Sequence, residues 1–297
     1  MRGRATDGVG QRLLAGADRD HIEALERFGF AHEVIGRQAI RALEPELSDR
    51  IGLAVLLPQN RSMMDPYRLV LALALADRFA ALGGQIERGE AVGFTRTDAI
   101  REVVLRDGRR LPADQVVICA GAFSARLAKA LNEPIPLETE RGYHTQIMAP
   151  GITLKHSLIW PARSFMITPT GGGIRVGGTV EMAGLDAAPD WRRAKVTLRH
   201  AREARPNLEP QQISEWMGHR PALPDTLPIL SPSARTRGVF YATGHGHLGL
   251  THAATTARLM GDLITGARPP IDLHPYRINR FQSGSRSFAF TRPTPTF

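Results

Sequence analysis

The stretch Tyr241 to Gly261, YATGHGHLGLTHAATTARLMG, constrains the fold more than any other part of this 297-residue chain. The apolar run Val239 to Thr243 ends in Gly244-His245-Gly246-His247-Leu248-Gly249, a literal GxGxxG, and a helical pattern begins at Thr251. Glycines allow the sharp turn and the close approach of a ligand to the backbone. The helix start beyond them points unpaired N–H groups at electron-rich atoms. A strand that turns through glycine into a helix is the building unit of a doubly wound α/β layer, and a dinucleotide is the first ligand such a turn suggests.

A second unit of this kind lies upstream. Gln115 to Ala120 carries the continuous apolar run VVICA expected of a central parallel strand, Gly121 follows, and Phe123 to Leu131 reads as a helix. Ahead of it, Asp18 to Phe28 reads as a short helix and Ile51 to Leu57 as a strand. Asp65 is a natural N-cap, Pro66 suits a first turn, and Gly83-Gly84 stops the helix after Leu82. The apolar content of Leu69 to Leu75 predicts a helix buried on more than one side. Short strands follow at Ala91 to Arg96 and Glu102 to Arg106, with a turn at Asp107-Gly108.

Between Pro134 and Leu230 the texture is β-rich, with strands predicted at 143–148, 158–160, 165–168, 174–178 and 213–216 and one helix capped by Asp190. The fold class is mixed α/β: an incomplete doubly wound layer interleaved with an antiparallel β-rich lobe. Segments 1–64, 65–133, 134–230 and 231–281 alternate between connecting, α/β, β-rich and α/β character. The Ser/Arg/Thr/Pro-rich tail 282–297 is expected to be disordered.

Composition removes several function classes. The only cysteine, Cys119, sits in an apolar run, so no disulfide framework exists and a buried structural thiol is expected. The longest apolar stretch, Leu69 to Ala76, is far short of the ~20 residues of a bilayer span; a cytoplasmic location with at most peripheral contact with the inner membrane face follows. Net charge is +9, but the arginines are scattered from Arg2 to Arg292, with no basic block interleaved with aromatics. That pattern argues against nucleic acid and for attraction of an anionic substrate or cofactor. His245, His247 and His252 lack a nearby Asp, Glu or Cys to complete a zinc-like set, so no metal is assigned. The chain has no GxSxG nucleophile elbow.

The glycine turn fails one test of a dinucleotide fingerprint. An acidic residue should follow about 20 positions on, at the end of the next strand, to hold the ribose. Asp262 lies inside the helix, and Asp272 follows Pro269-Pro270 with no apolar strand before it. Gly171-Gly172-Gly173 precedes a strand and suits a hairpin. The turn is therefore either purely structural or a second contact on a cofactor whose main cradle lies elsewhere.

An ordered set of segments resembles the FAD-dependent D-amino-acid oxidase family, most closely its D-amino-acid dehydrogenase and glycine or sarcosine oxidase-like branch. They are Ala113-Asp114 leading into VVICAGAFSARLA, RGYH at 141–144, RVGGTVE at 175–181, GHRPALPDTLPIL at 218–230, and YATGHGHLGLT. Each is weak alone; their order and spacing over roughly Asp18 to Phe281 carry the resemblance.

It implies FAD as cofactor and oxidative deamination of a D-amino acid, with hydride passing from Cα to the flavin and the imine hydrolysing to a keto acid. Oxidation of a secondary amine such as sarcosine or an opine, or of glycine, is the neighbouring alternative, and a non-catalytic pseudo-enzyme or partner subunit the alternative from another class. Electrons would pass to oxygen or a quinone. By the resemblance, Gly244, His245, Gly246, His247, Leu248, Gly249 and Leu250 contact the flavin ring, Gly121 follows the strand beside the cofactor, and Val92 meets its adenine end. Arg220 would hold the substrate carboxylate with a bidentate fork, the alternative being a structural pair with Asp225. Tyr143 would donate to the same carboxylate, the alternative being a core tyrosine.

Family members begin with a strand carrying the main GxGxxG cradle, whereas this chain begins MRGRATDGVG. The resemblance thus implies a truncated form lacking somewhat over a hundred residues, a partner chain that supplies the cradle, or a non-flavin role, the first being the favoured expectation.

Overall fold

The computed structural model describes residues 9–15, 19–73 and 75–281; the tail 282–297, expected to be disordered, lies outside them. In chain order the elements are β1 (Val9–Ala15), α1 (Arg19–Arg27), β2 (Glu33–Gly36), α2 (Arg37–Leu43), β3 (Leu53–Met63), α3 (Pro66–Ala72) and α4 (Leu75–Ala81). Next come β4 (Ala91–Arg96), β5 (Ile100–Leu105), β6 (Arg110–Pro112), β7 (Val116–Ile118) and α5 (Ser124–Ala130). Then follow β8 (Glu138–Ile147), β9 (Ser157–Trp160), β10 (Phe165–Thr170), β11 (Gly173–Glu181), α6 (Arg192–Ala204) and β12 (Ile213–Ala222). The last are β13 (Ile229–Pro232), β14 (Val239–Thr243) and α7 (Gly249–Thr265). The fold is mixed α/β, and it divides into two compact units, each assembled from two separated segments. The described residues of 9–88 together with 140–219 form one; 89–139 and 220–281 form the other. The first limit differs from that expected at 64/65 because the α3–α4 segment groups with the β-rich unit; the others fall at 139/140 and 219/220, beside those expected at 133/134 and 230/231.

The first unit is built on an eight-stranded sheet of order β12-β8-β11-β10-β9-β1-β3-β2. The Gly171–Gly173 hairpin joins β10 and β11 in antiparallel register, Thr168 opposite Arg175 and Met166 opposite Gly177. One face of this sheet is the core: Ile147, Ile167, Ile174 and Val176 pack with Ala201 and Ala204 of α6, each large aliphatic contributing roughly 1.5–3 kcal/mol. Alternation sends every second residue to the opposite face. A buried ion pair crosses this unit, Arg205 donating to Glu44, whose other oxygen accepts the backbone N–H groups of Lys155 and His156 at 2.9 and 2.7 Å.

The single helix expected from Asp65 to Leu82 is two seven-residue helices, α3 and α4. Asp65 caps the first as its sequence predicts, accepting from the Arg68 N–H at 2.9 Å. The expected burial does not hold: Val70, Leu71, Leu73, Leu75 and Phe79 are all exposed. Apolar content signals a helix that needs a cover, but among the described residues no layer is packed against it.

The second unit is layered around the three-stranded sheet β13-β14-β7. On β14, Val239 and Tyr241 face a cluster with Ala128 and Leu131 at the end of α5. Phe240 and Ala242 point the other way, toward Leu259 and Met260 of α7. The strand run at 115–120 was expected to be central, and β7 instead lies at the edge of this sheet. It is shorter than expected, ending at Ile118, which leaves Cys119 exposed rather than buried. A second small sheet, β4-β5-β6, completes the unit. The fully buried Glu133 ties its parts together, accepting from the Ser233 hydroxyl and Ala234 N–H at 2.6 Å and from the Tyr241 hydroxyl at 3.0 Å. Burial, followed by the Glu133 charge, pushes the Tyr241 phenol well above its ordinary range.

Candidate active site

The site forms where two parallel strands end side by side. β7 and β14 pair in parallel, with Val116, Val117 and Ile118 opposite Val239, Phe240 and Tyr241. Both then leave the sheet through glycine in left-handed conformation, Gly121 at φ +54° and Gly244 at φ +86°, and both lead into helices. The Thr243 hydroxyl donates to the Gly121 carbonyl at 2.9 Å and locks the two turns together. In open α/β layers, ligands bind at this carboxyl end of adjacent parallel strands.

A third segment of the same unit meets these turns. The Gly246 N–H donates to the Pro221 carbonyl at 2.8 Å, which brings the chain next to Arg220 against the glycine turn. A Cβ built on Gly244 would lie 2.2 Å from the Leu223 side chain, so residue 244 is glycine for packing as well as for its φ. Gly246 also has positive φ, +54°, but a Cβ there, or on Gly121, would meet nothing within 4 Å. The backbone at these two positions thus borders open space.

The 17-residue helix α7 begins at Gly249 and has no side-chain cap at Leu248. Its first turn carries no acidic residue, so the positive end of the helix dipole is not neutralised from within the helix. His247, Leu248, Gly249 and Leu250 are exposed at this start. His245 differs from them: its Nε2 lies 2.9 Å from the Thr256 hydroxyl, folding the ring onto α7, and its ring stands 6.3 Å from that of His252. Burial, and secondarily the charge of His252, holds the His245 imidazole below its ordinary pKa. Among the described residues no three His, Cys, Asp or Glu side chains converge as a metal site.

Other candidates lie elsewhere. Val92 is exposed on β4, at an irregularity in its pairing with β5. Asp225, the alternative partner for Arg220, is engaged by Arg280 at 2.7 Å. Tyr143 belongs to the first unit and is 1 % exposed. Its hydroxyl donates to Glu181 Oε2 at 2.5 Å and accepts the Asp190 N–H at 2.9 Å. Both roles of the hydroxyl are in use within the unit, which is the arrangement of a core tyrosine. Beside it Arg141 is fully buried, its guanidinium clasping the carbonyls of Gly184, Ala187 and Ala188. Thr243 was missed from the sequence: only the parallel register places its hydroxyl over Gly121.

Comparison with known proteins identifies the class. Residues 8–263 match the family model described as DAO, FAD dependent oxidoreductase, and the chain belongs to this family of FAD-using oxidoreductases. It is 35 % identical over 260 residues to a D-amino-acid oxidase of Bradyrhizobium diazoefficiens, covering 86 % of this chain and 61 % of that protein. A D-amino acid dehydrogenase of Rhizobium johnstonii is 31 % identical over 277 residues, covering 91 % of this chain and 65 % of its own length. The chain therefore spans less than two thirds of these curated relatives. Among solved structures, glycine oxidase from Geobacillus kaustophilus superposes with a TM-score of 0.79 at 22 % identity, covering 92 % of this chain and 76 % of that one, a likeness of fold. No helix among the described residues is long and apolar enough to cross a membrane.

The paired glycine turns fit the ring end of a flavin. Open space borders Gly121 and Gly246, and an uncapped helix start adjoins them. Such a helix start favours negative charge on a neighbouring group.

Proposed function

We propose that this chain carries the flavin-ring and substrate-carboxylate part of an oxidoreductase that oxidises the C–N bond of a D-amino acid. The observation that carries the reading is the juxtaposition, within one unit, of two glycine turns, the open start of α7 and the strand end bearing Arg220. The amino-acid-oxidising activities named for the two sequence relatives support the substrate class.

FAD, when bound, would supply the two-electron acceptor, with oxygen or a quinone as the final acceptor. The chain's own residues supply the rest. The backbone around Gly121 and Gly244–Leu250 would hold the ring, and the first-turn N–H groups of α7 would stabilise negative charge on a group beside them. Arg220, always charged and offering a planar fork, fixes the substrate carboxylate so that the Cα–H is oriented for transfer. Val92 would hold the adenine end. The imine that leaves is hydrolysed by water to a keto acid and ammonia.

Titrating the protein with FAD while following flavin fluorescence and absorbance near 450 nm tests the reading. Saturable binding, followed by bleaching under anaerobic D-amino acid, is expected. A protein that never takes up flavin alters the conclusion to a non-catalytic role.

A further inference from the structure

The second unit holds a cleft of about 810 Å³ between the edge strand β13 and residues 268–277. Leu263, in the last turn of α7, lines it. The cleft therefore lies at the far end of that helix from the glycine turns, about 20 Å along its axis. No residue of the candidate active site belongs to its lining. Its volume is that of a small-molecule site.

The walls are held by contacts within the unit. Leu273 and Tyr276 pack against Leu230, Leu259 and Met260. The Ile278 N–H donates to the Ser231 hydroxyl oxygen at 3.0 Å and pins the segment to β13. Asp272 Oδ1 accepts the His274 N–H at 2.9 Å at the start of a single 3-10 turn, His274–Tyr276, and the rings of Pro269 and Pro270 fix two further backbone angles. The cleft is thus preformed.

Its lining divides by chemistry. Leu230, Leu263 and Leu273 form an apolar wall, which Ile271, 48 % exposed, extends to the rim. Arg268, His274 and Arg277 also line the cleft, and among the described residues none of these three side chains makes a hydrogen bond or ion pair. Arg280, just beyond, is by contrast committed to Asp225 and to the Leu227 carbonyl. Asp272 is the single acid in the lining. Two guanidinium groups against one carboxylate leave one net positive charge, which matches a monoanion better than a phosphate dianion. A guanidinium fork beside an apolar wall suits a carboxylate carried on a hydrocarbon body.

We infer that this cleft binds a small amphipathic carboxylate, the arginines taking the acid head and the leucine wall its aliphatic or aryl body. The inference stands apart from the oxidoreductase reading, because no flavin and no flavin-contacting residue enters it.

Isothermal titration of the flavin-free full chain with octanoate, at constant ionic strength and below the micellar range, tests the site. Saturable one-to-one binding is expected, weakened about tenfold in Arg268→Gln or Arg277→Gln and further in the double variant. Both arginines are exposed, so the circular-dichroism spectrum should not change. Octanol, the body without the charge, and acetate, the head without the body, should each bind at least about tenfold more weakly. The His274 ring signals should shift in NMR as octanoate is added; signals that stay still would place the ligand elsewhere and overturn the assignment. No saturable binding would overturn it too, as would a double variant that binds octanoate within about twofold of the parent. Acetate binding as tightly as octanoate would reduce the cleft to a general anion patch, and octanol doing so would leave only an apolar groove. Octyl phosphate binding more tightly would replace the carboxylate by a dianion, and each of these three results overturns the proposal. Flavin uptake without octanoate binding would sink this inference alone, whereas octanoate binding in a protein that never takes up flavin would sink only the oxidoreductase reading.

Discussion

The Thr243 hydroxyl donates to the Gly121 carbonyl oxygen at 2.9 Å, across the ends of two parallel strands whose residues are 122 positions apart in sequence. This bond sets the spacing of the two glycine turns. Thr243→Val keeps the shape and β-branching but removes the bond that ties the two turns, leaving the Gly121 carbonyl to the Ser124 N–H alone, so a loss of roughly 0.5–1.5 kcal/mol in unfolding free energy is expected. Urea denaturation measures it. The parallel expectation for a flavin titration is weaker binding, because the turns are no longer held at one distance.

Gly244 and Gly246 separate two costs of replacing glycine. Gly246→Ala adds a Cβ into open space at φ +54° and should lose only the left-handed strain, about 1–2 kcal/mol. Gly244→Ala adds the same strain and a clash with Leu223, a further roughly 1–3 kcal/mol. Comparing the two melting curves checks the order; equal losses would mean that Leu223 moves aside freely.

Arg220→Leu should leave flavin uptake intact and raise KM for the amino acid by about two orders of magnitude, with Arg220→Lys falling between. Asp225 is already held by Arg280, and a carboxylate-binding role predicts that the loss appears in KM. Steady-state kinetics on the loaded protein, paired with calorimetry, reads both.

Tyr143→Phe is expected to behave as a core substitution. The Tyr143 hydrogen bond, then Arg141 and the charge of Arg193, hold the Glu181 carboxyl below the usual carboxylate range. A carboxyl with depressed folded-state pKa stabilises fully above its unfolded value, about 4.3, and that stability is lost as pH falls through the folded value. Removing the hydroxyl shrinks this difference. The variant should therefore lose more stability at neutral pH than in acid, with little change in KM; a large KM effect would restore Tyr143 to the substrate site.

His245 should titrate below an ordinary histidine. Its folded pKa is depressed by burial and then by His252, so the unfolded chain binds the proton more readily. Stability is then expected to rise with pH through the ordinary histidine range and to fall as the solution is acidified below it. Following the ring carbon signals by NMR in the parent and in His252→Ala checks the second cause: the His245 pKa should move upward when His252 is removed.

Much of the α/β layer was legible because its signals are local. A strand, a glycine and a helix leave a contiguous trace at 115–131 and again at 239–265, and Asp65 announces its cap three residues ahead of the N–H it accepts. What stayed hidden depends on neighbours. Cys119 follows an apolar run, and nothing in that run says that the strand ends one residue earlier or lies at an edge. The apolar residues of α3 and α4 imply a cover without showing whether one is present. The partners of the Tyr143 hydroxyl lie 38 and 47 residues away, and the Thr243 hydroxyl meets the Gly121 carbonyl only once two parallel strands are in register.

The Glu44–Arg205 pair joins positions 161 residues apart, and the unit it spans is interrupted by residues 89–139. On a ribosome moving from the N-terminus, Glu44 emerges long before its cation, and the sheet that flanks it waits for strands encoded far downstream. Such non-local closure slows folding and leaves apolar surface open during synthesis. The nascent first half of this chain is therefore expected to expose apolar surface until Arg205 is translated, and its yield in cells should respond more to chaperone supply and growth temperature than its final stability would indicate.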